Sequence, residues 1–245
     1  MRKPKKWKVT NNRFVAFIDI LGFRDLVMRE DHAAILSLLY SIQEENGFIF
    51  ENNSFFSDDI YVVTFSDSII LFTKGDTFHD FRQLFTVVGN LMSRMVFLSV
   101  PAKGAVAHGS ISVDKGKNIF FGQPIIDSYL LGEDLSYIGV VAHNSLDKYV
   151  ASLEPNLKSL LQQYLVEIST PFKYGTINHL NVNWPLYSFL LYSHKKSQKE
   201  INEAHQEWIM QLLFNLKIKC SGSPRRYIEN TINLIDKFNN QITEV

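Results

Sequence analysis

Seven residues near the N-terminus, Phe14-Val15-Ala16-Phe17-Ile18-Asp19-Ile20, are apolar at every position but one, and Leu21-Gly22-Phe23 closes the run. A short, nearly continuous apolar segment that stops at a glycine reads as a strand buried on both faces. Such a strand has to lie inside a sheet with other elements packed above and below it. Asp19 is the exception within it. A carboxylate buried without a partner costs several kcal/mol or is forced to a raised pKa, so Asp19 needs a physical reason to be there.

The remaining pattern supplies the neighbours. Asp31 is placed to cap a helix carrying Ile35, Leu38, Leu39 and Ile42 at helical spacing, with Gly47 as its stop and a polar loop over 48–59. Ile60 to Phe65 and Ser68 to Thr73 are β-branched and aromatic runs around the two-residue break Ser66-Asp67, which predicts a hairpin. Residues 77–98 carry Phe78, Phe81, Leu84, Phe85, Val88, Leu91, Met92 and Met95, one face of an amphipathic helix. Strands follow at 104–113 and 118–121, then a helix from Gly122 to about Leu131 and a strand over 138–142. The order β-α-β-β-α-β, with a helix and strand appended, predicts an α+β fold of the ferredoxin-like, split βαβ type: an antiparallel sheet with helices on one face. Beyond residue 150 the pattern predicts helices near 153–165, 197–217 and 224–240, a Pro171/Gly175 turn, and a strand over 177–183.

Asp67 sits in the break of the apolar hairpin, and in this layout the hairpin lies beside the first strand. Asp19 and Asp67 can therefore converge at one edge of the sheet, where two carboxylates repel unless a cation joins them. Hard divalent ions such as Mg²⁺ or Mn²⁺ take oxygen ligands and share them with phosphates. The spacing alone also allows Asp19 to cap the next helix and Asp67 to serve as a turn residue.

Four segments in order resemble the class III nucleotidyl cyclases, and among them the bacterial pyrimidine cyclases of Pycsar antiphage defence and their relatives. Phe17-Ile18-Asp19-Ile20-Leu21-Gly22-Phe23 resembles the first metal-binding motif, and Phe65-Ser66-Asp67-Ser68-Ile69 the second. Lys103-Gly104-Ala105-Val106-Ala107-His108-Gly109 is similar to the strand that follows, and Gly122-Gln123-Pro124-Ile125-Ile126 to the start of the next helix. The likeness spans about residues 13–142, with Pro171-Phe172-Lys173 and Asn183-Trp184 as later points of similarity. It marks 13–150 as a cyclase-like core, and the basic start and the looser pattern beyond 150 leave a basic tail (1–12) and a C-terminal α/β extension packed on the core (151–245). It also implies two divalent ions held by Asp19, Asp67 and the Ile20 carbonyl, and a triphosphate cradled by the turn Leu21-Gly22-Phe23-Arg24. The reaction implied is attack of a ribose 3′-hydroxyl on the α-phosphate. The product would be a 3′,5′-cyclic nucleotide second messenger for antiphage defence, made by a homodimer with sites at its interface.

Two departures from the family shape that expectation. Val63 and Ile119 stand where the purine cyclases place the Lys and Asp that read adenine, and neither can read a Watson–Crick edge; UTP or CTP is the expected substrate. Ile126 and Leu130 stand where the family has an Asn and an Arg that stabilise the transition state. A cation lost there costs roughly two to four powers of ten in rate. Lys103 is the first candidate to replace it, with Arg24 and Arg94 behind. The alternative is a weak or dead pseudo-cyclase acting as a nucleotide-binding or regulatory module.

Composition narrows partners more than chemistry. Of 245 residues, 25 are Lys or Arg and 25 Asp or Glu, so the chain lacks the basic surface of a protein built around duplex nucleic acid. The N-terminus, Met1-Arg2-Lys3-Pro4-Lys5-Lys6-Trp7-Lys8, is basic without the apolar stretch of a secretory signal, and reads as a solvated tail ahead of an RNA-binding arm. No window reaches the ~18 apolar residues of a membrane span, so a cytoplasmic protein is expected. The lone Cys220 excludes an internal disulfide or a cysteine zinc site. His194 and His205 lack metal-ligand spacing, and His108, on a strand, reads as a structural histidine.

Overall fold

Strand β1 (Thr10–Ile20) runs through the middle of an eight-stranded sheet. In this computed structural model residues 7–52, 59–186 and 198–240 are described; Met1–Lys6, residues 53–58 and His194 lie outside them, as does the side chain of His205. Side chains alternate across a strand. Phe14, Ala16, Ile18 and Ile20 therefore enter the larger core on one face, while Phe17 on the other meets the Tyr129 ring at 5.3 Å.

Gly22 turns the chain out of β1 at φ +75, a left-handed conformation that favours glycine, and the short helix α1 (Phe23–Arg29) begins there. In the next helix, α2 (His32–Asn52), Asp31 Oδ1 accepts from the Ala34 amide at 2.8 Å, which is the cap its sequence predicts. Gly47 does not end the helix; it continues to Asn52, replacing the first part of the expected loop. Strands β2 (Ile60–Phe65) and β3 (Ser68–Thr73) form the hairpin, and helix α3 (Phe78–Phe97) leads to β4 (Ala102–Asp114). These strands lie in the order β2-β3-β1-β4 with every pair antiparallel, the split βαβ arrangement.

Helix α3 covers one face with Phe81, Leu84, Phe85, Val88, Leu91, Met92 and Met95, all buried. Its start is locked by a reciprocal cap: Asp80 N donates to Thr77 Oγ1 at 3.3 Å, and Thr77 N donates to Asp80 Oδ2 at 2.9 Å. Replacing Thr77 by Ala is expected to cost about 1 kcal/mol, read as a lower urea midpoint with an unchanged slope.

Short strand β5 (Ile119–Phe121) folds back on β4; α4 (Gln123–Asp134) then crosses the opposite face, and β6 (Gly139–Ala142) adds parallel to β4. Residues past 150 continue the same sheet. After α5 (Ser145–Ser152) come one helical turn, α6 (Pro155–Lys158), and a 3₁₀ turn (Ser159–Gln163), where one helix over 153–165 is expected. The hairpin β7 (Leu165–Phe172) and β8 (Gly175–Val182) follows; β8 pairs with β6 and β7 forms the edge. Two helices, α7 (Gln198–Lys217) and α8 (Ser223–Asn240), end the chain. Leu234 and Phe238 of α8 pack with Ala105, Tyr137, Val141, Val166 and Ile168, so the sheet has helices on both faces once the appended elements are counted.

Candidate active site

The last turn of β1 places the two carboxylates. Asp19 lies directly between Ser68 on β3 and Lys103 on β4, and cross-strand neighbours share a face. Ser68 follows Asp67, and the Ile20 amide donates to the Asp67 carbonyl at 2.9 Å, tying the hairpin turn to the end of β1. The juxtaposition expected from the sequence is present. Its electrostatic mark is on Asp19, whose carboxyl is pushed up to about 6 by burial first and then by the like charge of Asp67. Lys103 pulls it down, and Glu133 adds a smaller upward push.

Asp19 does not cap the next helix: α1 starts at Gly22 with no side-chain cap. Asp67 is a turn residue, but the turn is strained, because Ser66 before it sits at φ +56 without being glycine. Replacing Ser66 by Gly should relieve about 1 kcal/mol and raise the thermal midpoint.

Lys103 is only 3% exposed, and its ammonium is already engaged. Nζ donates to the Glu133 carbonyl at 2.9 Å, pairs with Glu133 Oε1 at 3.3 Å and lies 5.8 Å from the centre of the Tyr227 ring on α8. Lys173 approaches the other Glu133 oxygen at 3.9 Å. Glu133 is the residue sequence reasoning missed. Its signal was an acidic pair, Glu133-Asp134, in the last turn of a helix, where the helix dipole disfavours negative charge.

The turn after Asp19 is open. Leu21 N donates to the Pro101 carbonyl at 2.8 Å, and the first amide bonded into α1 is Leu26, to the Gly22 carbonyl at 3.0 Å. The amides ahead of Leu26 lie outside the helical ladder, at the end of the sheet that carries Asp19. Phe23 is buried and anchors the turn, while Arg24 is exposed.

Val63 pairs with Ile70, which pairs with Phe17, so it shares the Asp19 face two residues away along β1. Ile119 is not brought to the carboxylates. It pairs with Asp114, eleven residues further along β4 than Lys103, about 35 Å at strand rise. Ile126 and Leu130 on α4 are 52% and 56% exposed, with Tyr129 between them also exposed. Arg94 lies on α3 with its guanidinium 5.1 Å from the Phe97 ring. Among the described residues, no three His, Cys, Asp or Glu side chains cluster to hold a metal ion. A cation at this edge would rest on two carboxylates, a backbone carbonyl and oxygens of its substrate, the hard-donor set that Mg²⁺ or Mn²⁺ takes.

No family model matches the chain, and no curated protein does. Solved structures do. The catalytic core of a rhodopsin–guanylyl cyclase with converted specificity, in complex with ATPαS, aligns with a TM-score of 0.52 at 12% identity, covering 70% of this chain and 94% of that one. The non-canonical dimeric guanylyl cyclase domain of the RhoGC fusion protein from the aquatic fungus Blastocladiella emersonii aligns at 0.50 and 11% identity, covering 70% and 93%. The chain therefore has the α+β fold of a nucleotidyl cyclase catalytic domain. Among the described residues no helix is long and apolar enough to cross a membrane.

Proposed function

We propose that the chain is a nucleotidyl cyclase that converts a pyrimidine nucleoside triphosphate, UTP or CTP, into its 3′,5′-cyclic nucleotide with release of pyrophosphate. The observation that carries this is the Asp19–Asp67 pair at one edge of a cyclase-type sheet, with Asp19 held up at about 6 by burial and by its neighbour. Two like-charged carboxylates at the open end of a sheet, only partly offset by Lys103, favour a cation between them.

In the reaction a bond forms between the ribose O3′ and the α-phosphorus, the bond from that phosphorus to the bridging oxygen breaks, and pyrophosphate leaves. Asp19, Asp67 and the Ile20 carbonyl would hold two divalent cations, whose chemistry is to ease deprotonation of the 3′-hydroxyl and offset phosphate charge. The chain's own groups position the substrate. The amides of Gly22, Phe23 and Arg24, outside the helical ladder, would face the triphosphate, and the exposed Arg24 side chain adds a cation in the same turn. Lys103 would serve the phosphates only by exchanging Glu133 for them; as it stands, its ammonium is held by Glu133 and offsets only part of the upward push on Asp19. Val63 and Ile119 give the base an apolar surface with no group to read a purine edge.

Ile119 is far from its own Asp19, so a complete site requires a second copy. The exposed apolar residues Phe65, Ile119, Phe121, Ile126 and Leu130 support a homodimer that buries them. Residues 13–150 would carry the site and 151–245 extend its sheet, and the antiphage role is the one the family resemblance implies. A second reading, a nucleotide-binding module without turnover, draws on the same exposed Ile126 and Leu130, which offer no polar group to the transition state.

The test is incubation of purified protein with Mn²⁺ and each of the four nucleoside triphosphates, with products separated by mass. Cyclic UMP or cyclic CMP alone is the expected result. A cyclic purine as the main product would contradict the base assignment. Nucleotide bound with no cyclic product would establish the second reading in place of the first.

A further inference from the structure

The other end of the sheet carries a pocket that this chemistry does not use. It is about 600 Å³ and is lined by Asp76, His108, Asn144, Ser145, Lys148, Tyr149 and Ser152. His108 pairs with Phe14 on β1, five residues along the strand from the Asp19–Lys103 pair, about 17 Å away. The odd spacing also puts it on the opposite face. Ser145, Lys148, Tyr149 and Ser152 recur at i, i+3, i+4 and i+7 on α5, which makes them one wall. Asp76, in the loop between β3 and α3, forms another.

Three features of this pocket lack an explanation within the fold. The Asp76 carboxylate has one partner among the described residues, His108 Nε2, 3.2 Å from its Oδ2. Lys148 is exposed and its ammonium has none. The Tyr149 hydroxyl is buried without a hydrogen-bond partner, although its ring is packed against Phe14 and His108 at 4.8 and 5.3 Å. A buried hydroxyl left unpaired is costly. It stays protonated, pushed up to about 12 by burial and then by the nearby Asp76 and Asp80 charges.

We propose that this pocket binds a small zwitterion of the amino-acid type, its ammonium on Asp76 and its carboxylate on Lys148. An anion alone would face the Asp76 carboxylate, whose one partner among the described residues is His108, a cation alone would leave Lys148 unused, and a neutral polyol would satisfy neither charge. A zwitterion pairs both. Asn144, Ser145 and Ser152 are neutral donors and acceptors for its backbone or side chain, and the volume falls within the range of small-molecule sites.

The test measures thermal midpoints and calorimetric binding of the full chain with each proteinogenic L-amino acid, and with methylamine and acetate as half-ligands. At least one amino acid should raise the midpoint saturably while neither half-ligand does. Lys148→Met and Asp76→Asn should each weaken its binding by about tenfold or more. Asp19→Asn should leave it unchanged, which separates this site from the carboxylate pair. The proposal is overturned if no amino acid binds, if binding survives both pocket substitutions, or if methylamine or acetate binds as well.

Discussion

Replacing Asp19 by Asn is expected to cripple turnover and, at the same time, to make the metal-free protein more stable. Both effects have one cause. The Asp19 carboxyl titrates near 6 in the fold against 3.8 when free, with burial as the larger contribution and Asp67 as the next. A carboxylate whose pKa is raised by folding opposes folding when ionised. Below 3.8 both states are protonated and Asp19 contributes nothing. Between 3.8 and about 6 the folded protein holds a proton that the unfolded chain has lost, so stability falls as pH rises. Above about 6 the full cost is present. Asparagine has the same shape without the charge, so the variant's thermal midpoint should lack this decline between about pH 4 and 6 and exceed the parent's at pH 7 in chelator. Divalent cation should narrow the gap by stabilising the parent alone. Turnover should fall by roughly two to four powers of ten, the usual range for a lost electrostatic partner of a transition state. A variant less stable than the parent at pH 7 without metal would contradict the strained-pair account.

Replacing Gly104 by Ala is expected to be nearly as damaging by a route that is purely steric. A methyl group there would lie 2.3 Å from the Phe17 carbonyl oxygen and 3.0 Å from the Ile18 Cα, both backbone atoms of the central strand. Backbone cannot rotate aside as a side chain can, so β1 and β4 must separate. Helix α4 rests on the same spot, since a Cβ on Gly132 would come within 3.2 Å of the Gly104 Cα. That close approach of helix to strand is what brings Glu133 to Lys103. Gly104→Ala should therefore cost about 3 kcal/mol or more, seen as a lower denaturation midpoint. Any folded fraction should be a poor enzyme, because Phe17 and Ile18 immediately precede Asp19 and a displacement of about 1 Å costs about a hundredfold in rate. Parent-like stability would mean that the strands are not apposed as described.

The sequence showed what repeats locally and hid what is joined across distance. The run ending in Asp19, the hairpin around Asp67, the amphipathic face of α3 and the Asp31 cap all follow local rules of periodicity and capping, and all appear in the fold. Strand β7 did not read as a strand. Leu160, Leu161, Tyr164 and Leu165 mimic helical spacing up to and into its first residue, and Pro171 lies inside it. Proline is tolerated there because β7 is the edge of the sheet. Gly47 looked like a helix stop, yet a glycine commonly ends a helix by itself turning left-handed, and α2 continues through it to Asn52. The partners of Lys103 were beyond local reach. Glu133 is 30 residues away, and Tyr227 comes from the last helix. The Asp76–His108 contact spans 32 residues with no motif to link them.

The central claim is that Asp19 and Asp67 act together as a cation-dependent site for closing a cyclic phosphodiester. The direct measurement compares the parent and Asp67→Asn in one assay, following Mn²⁺-dependent conversion of UTP and CTP to 3′,5′-cyclic nucleotide and pyrophosphate. Asp67 lies in a turn already tied down by its backbone, so the substitution should leave the fold intact. The expected result is cyclic product from the parent, absent without divalent cation and absent in the variant. Equal product from both proteins, or product that persists in chelator, would contradict it.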